Sequence, residues 1–183
     1  MYSLLIDTCT DKTILVLYKN ENVLEVIEEE SRHHSNHVVS MISKITSNNN
    51  IKVNDLNEII CVNGPGSFTG VRIGVTIAKS LAYTLDIPIK TISSLMVKSV
   101  CLENKDVYLS DPNGKYIGLF NQDNEELFYL DNDEFDNYKK DHFLVEEVDI
   151  DYNKVYQKIK EIKPVICHSV KALYIKKIEV END

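Results

Sequence analysis

The chain opens with three short runs rich in apolar and β-branched residues, at positions 2–6, 13–18 and 23–28. Turn-forming residues separate these runs, at positions 11–12 and 20–22. Runs of this length and composition, joined by such turns, predict an antiparallel meander of three β-strands.

Helices and strands alternate after the meander. Residues 58–62 are almost continuously apolar, which is typical of a strand covered on both faces. A long helix ending near Leu85, a strand over residues 89–92 and a helix capped by Ser93 or Ser94 come next. Before all of these, an i, i+4, i+7 apolar spacing predicts an amphipathic helix over residues 35–47, with its apolar positions at Val38, Val39, Ile42 and Ile45. The whole order is that of an α/β protein.

The second half of the chain is shorter and more polar. Residues 107–110 and 115–120 flank the sequence Asp-Pro-Asn-Gly at positions 111–114, which predicts a hairpin. Residues 126–130 can add a third strand, and residues 136–141 are predicted to form a surface loop.

The C-terminal region is predicted to contain a helix over residues 152–162, ended by Pro164. Residues 165–168 are predicted as a strand and residues 172–178 as strand-like. An acidic tail, residues 179–183, is predicted to be disordered.

Four of the six glycines lie within residues 64–74, at the junction between the apolar strand and the long helix. Glycine is used where the backbone needs a positive φ or where another atom must come very close. The cluster therefore has two interpretations. It could cradle a phosphate at the helix N-terminus, or it could start a helix built to press closely against a partner.

The helix itself, with Thr69 as its predicted cap, carries two stripes of residues spaced four apart, which lie on one face. The bare stripe consists of Gly70, Gly74, Ala78 and Ala82. The apolar stripe beside it consists of Ile73, Ile77, Leu81 and Leu85. Such a face allows close helix packing, and periodicity alone leaves open whether it meets a partner or the chain's own sheet.

A phosphate loop of the Walker type needs a lysine and a hydroxyl residue after its last glycine. Here Gly70 is followed by Val71 and Arg72, so that interpretation fails. Arg72 could pair with a carboxylate of a partner or stabilise its own loop.

Composition places the chain among soluble globular proteins, with 43% apolar and 27% charged residues. Its 183 residues suffice for one core or for two lobes, and we place the lobe boundary near Asn104. There is no apolar run of membrane-spanning length, no signal-peptide pattern and no C-x-x-C pair among the four cysteines. These features predict a cytoplasmic protein that has no contact with membranes.

The net charge of −9 argues against direct binding of nucleic acid, because phosphate neutralisation needs a basic face. Any contact with RNA is therefore expected through a partner. His33 and His37 have the i, i+4 spacing of a metal pair, but no third ligand lies near them in the sequence. The prediction is that no metal is bound.

Residues 64–74 resemble the signature of the bacterial TsaB family, also called YeaZ, which serves tRNA threonylcarbamoyladenosine biosynthesis. The likeness continues at Ile6, Asp7, Thr8 and Thr10, at His34 and Ser35, at Val38, Val39, Met41 and Ile42, at Asp55 and Leu56, at Ile87 and Pro88, at Ser93, Ser94 and Leu95, and at Leu173, Tyr174 and Ile175. It covers the first lobe throughout and the second in patches.

The resemblance implies an α/β fold of the actin-like, Hsp70-like ATPase type, with two ribonuclease-H-like lobes of mixed sheets flanked by helices. The lobes would span residues 1–103 and 104–183, the first carrying the partner-binding helices. It also implies a non-catalytic scaffold that pairs with and stabilises TsaD, the catalytic subunit that modifies position 37 of tRNA. A TsaE-like ATPase joins the complex, and tRNA is contacted only indirectly.

Three groups of residues follow from the resemblance. The expected partner interface comprises Val38, Met41, Ile42, Ile45, Gly70, Ile73, Gly74, Ile77, Ala78, Leu81 and Ala82. The signature loop comprises Gly64, Pro65, Gly66, Ser67, Phe68, Thr69 and Arg72. A vestigial phosphate hairpin comprises Asp7, Thr8 and Thr10, which lack the glycine that lets a backbone approach phosphate; Asp7 and Thr8 are expected to form hydrogen bonds within the turn.

The sequence departs from the family pattern in two respects, and these departures leave other functions open. The second lobe is shorter than the family's, and Asp111-Pro112-Asn113 stands where the family often has Asp-Ala-Arg. The alternative is a nucleotide-dependent ATPase or kinase-like enzyme of the same fold, or a metallopeptidase-like protein. A homodimer through the same helices is a further arrangement. No cofactor and no catalytic residue are predicted.

Overall fold

A computed structural model describes most of the chain, and all structural statements concern the part that it describes. The described residues are 1–30, 35–102, 106–110, 116–121, 126–138, 140, 144–145 and 148–174. The predicted turn at 111–114, the tail at 179–183 and His33 lie outside them.

The first sheet has five strands in the order β3-β2-β1-β4-β5. The strands are β1 (Tyr2–Asp7), β2 (Lys12–Lys19), β3 (Asn22–Glu30), β4 (Glu58–Val62) and β5 (Ile89–Ile92). The first three pair antiparallel, which confirms the predicted meander, while β4 runs parallel to both β1 and β5. Leu4, Leu5 and Ile6 are all fully buried, and since successive side chains of a strand point to opposite faces, both faces of β1 are covered.

Two long helices, α1 (Ser35–Asn48) and α2 (Phe68–Leu85), pack against this sheet, and a short helix, α3 (Ser94–Ser99), follows β5. The predicted cap of α2 at Thr69 is wrong. Ser67 occupies that position, because its Oγ accepts the hydrogen bond of the Gly70 amide and α2 begins at Phe68. Of the two predicted caps of α3, Ser93 or Ser94, Ser93 is the one observed, since its Oγ accepts from the Met96 amide at 3.0 Å.

A second sheet has four strands in the order β8-β7-β6-β9. Its strands are β6 (Asp106–Ser110), β7 (Tyr116–Asn121), β8 (Glu126–Asp131) and β9 (Leu144–Val145). Here too a three-stranded antiparallel meander is extended by a parallel strand beside its first member.

A helix, α4 (Asn132–Tyr138), occupies the first half of the region predicted as a surface loop at 136–141. The prediction failed because this helix has no apolar periodicity. Its start is fixed by a reciprocal capping pair instead: the Glu134 amide donates to the Asp131 carboxylate at 2.9 Å, and the Asp131 amide donates to the Glu134 carboxylate at 3.0 Å.

The helix α5 (Tyr152–Glu161) confirms the predicted helix at 152–162, yet it packs against the first sheet rather than the second. Its buried residues are Val155, Tyr156 and Ile159. The five-stranded sheet is thus enclosed by α5 on one face and by α1 and α2 on the other. The division at Asn104 remains a prediction, but the sequence beyond it helps to build the first layered unit.

A buried polar network holds α5 on the sheet. The Tyr156 hydroxyl lies 3.2 Å from Ser3 Oγ and donates to Glu58 at 3.5 Å. Lys90 Nζ lies 3.1 Å from a Glu58 oxygen and also donates to the Ile159 carbonyl at 3.1 Å. Because buried charges are tolerated when they are paired and hydrogen-bonded, this network fixes where α5 sits.

The predicted strand at residues 165–168 is wrong. Only Val165 pairs with the sheet, through a bridge to Ile89, and residues Cys167–Ser169 form a 3-10 turn. Lys79 Nζ, on α2, donates hydrogen bonds to the carbonyls of His168 at 3.3 Å and Val170 at 3.2 Å. These two bonds hold the turn against α2. Of the strand-like segment predicted at 172–178, the described residues 172–174 are irregular.

None of the described helices combines the length and apolar character that crossing a bilayer requires.

Candidate functional site

The signature loop is a junction between three segments of the chain. Gly64 has a φ of +106°, and a Cβ there would collide with the Leu173 carbonyl. A Cβ on Gly66 would collide with the carbonyl of Cys9, in the turn between β1 and β2. These two glycines are therefore required because neighbouring backbones come very close.

Backbone hydrogen bonds lock the loop to the same neighbours. The Ser67 amide donates to the Cys9 carbonyl at 2.6 Å, and the Ser94 amide donates to the Gly64 carbonyl at 2.8 Å. The Leu173 amide donates to the Asn63 carbonyl at 2.7 Å. The loop therefore joins the β1–β2 turn, the start of α3 and the C-terminal segment.

The bare stripe of α2 is buried within the chain, and its two glycines face the chain's own hairpin. A Cβ on Gly70 would collide with the Thr8 carbonyl, and one on Gly74 would collide with Thr8 Oγ1. The Thr8 hydroxyl donates to the Gly70 carbonyl at 2.7 Å. Ala78 and Ala82 are also buried. The missing side chains let α2 approach β1, so the close packing is internal.

Other residues expected at the partner interface also lie in the core of the chain. These are Val38, Met41, Ile42, Ile45 and Ile77. Ile73 and Leu81 remain partly accessible. Val39, predicted to share the apolar face of the first helix, is 54% exposed, because the helical repeat turns it away from Val38 and Ile42.

The accessible side of these helices is made of different residues, which we call the outer face. It comprises Val39, Ser40 and Ser43 on α1 and Phe68, Thr69, Arg72, Thr76, Ser80 and Tyr83 on α2. Sequence patterns singled out Phe68, Thr69 and Arg72 as loop residues and Val39 as an apolar position of α1. They did not identify the remaining residues of the outer face. The four-residue spacing of positions 68, 72, 76 and 80 marks a second stripe on α2, and this spacing could have identified Thr76 and Ser80.

The predicted hydrogen bonding within the turn is confirmed for Asp7, whereas the Thr8 hydroxyl bonds to Gly70 on α2 instead. Asp7 Oδ1 accepts from the Cys9 amide at 2.8 Å, and burial raises the pKa of this carboxyl above its ordinary value. The Lys12 amide donates to Thr10 Oγ1 at 3.1 Å. Two amides that could have faced a phosphate are therefore already satisfied by side chains.

Beside this turn lies a cleft of about 750 Å³. Its wall includes the acidic residues Asp7, Asp11, Glu28 and Asp149, and the basic residues Lys12 and Lys98. Lys12 Nζ is bound to Glu28. A wall with twice as many carboxylates as ammonium groups, beside a turn whose amides are occupied, does not fit the phosphates of a nucleotide.

The described residues contain no group of three His, Cys, Asp or Glu that could hold a metal ion. His37 Nε2 lies 3.6 Å from a Glu29 oxygen, which places it beside a carboxylate. Burial raises the pKa of the Cys61 thiol to about 12, and the pKa of Cys9 is also raised, mainly by burial. Neither thiol is therefore suited to act as a nucleophile.

Arg72 contacts its own loop and the C-terminal segment. Its Nε donates to the Tyr174 hydroxyl at 2.9 Å, and its guanidinium carbon lies 3.8 Å from the centre of the Phe68 ring. The Phe68 and Tyr174 rings are 5.2 Å apart. Of the two roles that the sequence left open for Arg72, the structure shows the one in its own loop.

Comparison with known proteins agrees with this architecture. A solved structure described as an uncharacterized protein from Pseudomonas aeruginosa with similarity to peptidase YEAZ has a TM-score of 0.74 to this chain, at 16% identity. The superposition covers 96% of this chain and 99% of that one. It confirms the actin-like fold of ribonuclease-H-like lobes.

Two curated relatives are named tRNA threonylcarbamoyladenosine biosynthesis protein TsaB. The protein from Bacillus subtilis is 40% identical over 96 residues, and the one from Buchnera aphidicola of Schizaphis graminum is 38% identical over 94 residues. These matches span 52% and 51% of this chain but only 42% and 45% of the relatives. The matched part of the chain therefore spans less than half the length of these relatives.

A family model described as TsaD, tRNA N6-adenosine threonylcarbamoyltransferase, matches residues 24–117, which is just over half of the chain. This range contains α1, the signature loop and α2. The chain belongs to the family of that model, and the curated relatives to which it is similar carry the name TsaB.

Proposed function

We propose that this chain is a non-catalytic subunit in the synthesis of N6-threonylcarbamoyladenosine at position 37 of tRNA. In this proposal it pairs with a TsaD-like catalytic subunit through the outer face of α1 and α2 and stabilises it. A TsaE-like ATPase completes the assembly. The names of the relatives support the pathway, and the exposed apolar residues of α1 and α2 carry the proposal of a partner.

The distribution of exposed apolar side chains favours these helices as the contact surface. Among the described residues, five large apolar side chains are more than half exposed, and three of them are Val39, Phe68 and Tyr83 on α1 and α2. Aromatic residues are enriched where proteins meet. The partly accessible Ile73 and Leu81, which belong to the interface expected from the sequence, add apolar area at the edge of this surface.

The contacts around the β1–β2 turn support a non-catalytic role. The amides of Cys9 and Lys12 are bonded to side chains of the same turn, and the adjoining cleft is acidic. In addition, residues 93–99, which match the place where TsaD-like proteins bind metal through H-x-x-x-H, contain no histidine. An isolated nucleotide-dependent or metal-dependent activity would need groups that these positions do not supply.

The net charge of −9 supports an indirect contact with tRNA. Binding of a phosphate backbone depends on lysine and arginine side chains that displace counterions. We therefore assign the RNA contact to the catalytic partner.

Size-exclusion chromatography with the cognate TsaD-like subunit tests the pairing. We expect co-elution for the wild type and its loss for Thr76→Arg, because Thr76 lies in the middle of the outer face. Leu24→Arg, at a 43% exposed position of the edge strand β3, is the matched control and should still co-elute. Failure of the wild type to co-elute would refute the pairing. A homodimer through the same surface would show as concentration-dependent elution of the chain alone, abolished by Thr76→Arg.

Reconstitution tests the pathway. Unmodified tRNA should become modified when the TsaD-like and TsaE-like subunits are supplied with this chain and should stay unmodified when the chain is omitted. Calorimetry of the isolated chain with ATP and Mg²⁺ tests the enzymatic alternative. Tight binding there would favour a nucleotide-dependent enzyme over a scaffold.

A further inference from the structure

Arg72 differs from the other residues of the outer face because its side chain is held in one position. The guanidinium is stacked 3.8 Å above the Phe68 ring, and its Nε is bonded to the Tyr174 hydroxyl. Stacking and the Nε bond fix both the plane and the direction of the group. An arginine fixed in this way has already lost much of the rotamer freedom that binding would otherwise remove.

The two terminal nitrogens of this guanidinium have no bonding partner among the described residues, and Arg72 is exposed. They form the edge of a planar fork that matches the two oxygens of a carboxylate. A group with one donor used internally and four N–H bonds facing solvent is well arranged to receive such an anion.

The surroundings indicate a single carboxylate rather than a nucleic acid backbone. The nearest lysine along the exposed side of α2 is Lys79, whose ammonium is committed to the carbonyls of His168 and Val170. On α1, Lys44 is bound to Glu29 at 2.7 Å. Among the described residues of the outer face, Arg72 is the cation whose terminal N–H groups are left free, and one such group amid apolar and hydroxyl side chains suits one charged contact in a protein interface.

We propose that Arg72 is an anchor of the interface, binding an aspartate or glutamate side chain of the catalytic partner subunit through its two terminal nitrogens. The inference rests on the proposed pairing with that subunit. Phe68 and Tyr174 are positioning residues in this scheme, because they hold the guanidinium without contacting the partner's carboxylate.

Isothermal titration calorimetry of the intact chain against the cognate TsaD-like subunit tests this anchor. Arg72→Gln should weaken binding by about 10- to 100-fold, as expected for loss of an interface arginine. Arg72→Lys should weaken it nearly as much, because an ammonium neither stacks on Phe68 nor offers a fork. Tyr174→Phe, which removes only the acceptor of the Nε bond, should weaken binding by less than about fivefold.

Charge reversal identifies the partner's carboxylate. Arg72→Glu should bind more weakly than Arg72→Gln, and reversing one exposed acidic residue of the partner to arginine should restore affinity to Arg72→Glu alone. Thermal unfolding of each variant checks the fold. A merely structural role would lower the unfolding temperature in proportion to the loss of binding, and no partner reversal would then restore affinity.

Three outcomes would overturn the anchor. If Arg72→Gln and Arg72→Lys bind like the wild type while Thr76→Arg does not, the pairing stands and the anchor fails. If the wild type does not bind the partner at all, the proposed function itself fails. If the isolated chain binds unmodified tRNA and Arg72→Gln abolishes it, the ligand of Arg72 is a phosphate and the carboxylate assignment is wrong.

Discussion

The two sides of α2 show opposite uses of the same helix. On the inner side, Gly70 and Gly74 lie so close to the β1–β2 turn that any side chain would collide with Thr8. On the outer side, Phe68 and Tyr83 are 52% and 69% exposed. The side with almost no side chains is therefore the one that packs tightly, and the side with large side chains is left accessible.

This difference shows that a stripe of small residues identifies close packing but not the identity of the neighbour. The neighbour of the inner side is a hairpin encoded some sixty residues earlier, as the Thr8 to Gly70 hydrogen bond shows. Substitutions on the inner side should therefore change folding, and substitutions on the outer side should change only association.

The largest expected effect is that of a charge on the inner side. Ala78→Arg should abolish folding, because it buries an unpaired guanidinium at a fully buried position, at a cost above about 4 kcal/mol. Circular dichroism and urea unfolding provide the measurement. Thr76→Arg, two residues away on the outer side, should remain folded and change the free energy of unfolding by less than about 0.5 kcal/mol. Equal stability of the two variants would contradict the assignment of the two sides.

Adding one methyl group at each glycine should produce graded losses. In Gly70→Ala the new methyl group would collide with the backbone carbonyl of Thr8, which cannot move aside. This variant should lower the free energy of unfolding by about 3 kcal/mol. Gly74→Ala meets the Thr8 hydroxyl instead and should cost about 1–2 kcal/mol, despite the better helix propensity of alanine.

The double variant Thr8→Ala with Gly74→Ala provides the control in urea unfolding. It should be more stable than the sum of the two single losses predicts, because the colliding hydroxyl is gone. Additive losses would mean that Thr8 Oγ1 is not the obstacle.

A smaller and pH-dependent effect is expected at Asp7, the last residue of β1. Burial raises the pKa of its carboxyl in the folded state, so the unfolded chain releases its proton at lower pH. The contribution of Asp7 to stability therefore falls as the pH rises from about 4 through the folded-state pKa. Asp7→Asn keeps an oxygen to accept from the Cys9 amide and removes this loss.

Urea unfolding at a series of pH values measures the effect. The Asp7→Asn variant should be more stable than the wild type at pH 7, and the difference should shrink below about pH 4. A difference that is the same at every pH would show that Asp7 does not ionise differently in the two states.

The smallest effect on stability is expected at Tyr83, on the outer side. Its ring is 69% exposed and contacts His168 with ring centres 5.7 Å apart. Tyr83→Ala should change the free energy of unfolding by less than about 1 kcal/mol. The same variant should weaken binding of the TsaD-like subunit if the outer face is the contact surface. A large loss of stability would instead make Tyr83 part of the fold.

Much of the first sheet could be predicted from the sequence, because its strands are short apolar runs and its turns carry turn-forming residues. The failures concern interactions that no local pattern reports. The helix at Asn132–Tyr138 depends on a capping pair between Asp131 and Glu134, and the turn at Cys167–Ser169 depends on Lys79. Both contacts can be recognised only when the positions of these residues in three dimensions are known.

The candidate site was harder to predict for the same reason. Periodicity found the stripe on α2, and the hydrogen bond of Asp7 within the turn was expected, but that of Thr8 to Gly70 was not. Which side of α2 the hairpin covers depends on how β1 and α2 come together. Arg72 contacts Phe68, four residues before it, and Tyr174, about a hundred residues after it. Because the second contact is so distant in sequence, the sequence left open whether Arg72 binds a partner or its own loop.

The attachment of α5 and the C-terminal segment also bears on how the chain matures during synthesis. All five strands of the first sheet lie within the first 92 residues, yet Tyr156 of α5 bonds to Ser3 and Glu58, and Leu173 bonds to Asn63. A nascent chain leaving the ribosome therefore carries this sheet with one face bare until residues 152–174 emerge. During that interval the apolar side chains of that face are uncovered, and a segment translated later completes a sheet whose strands are translated first.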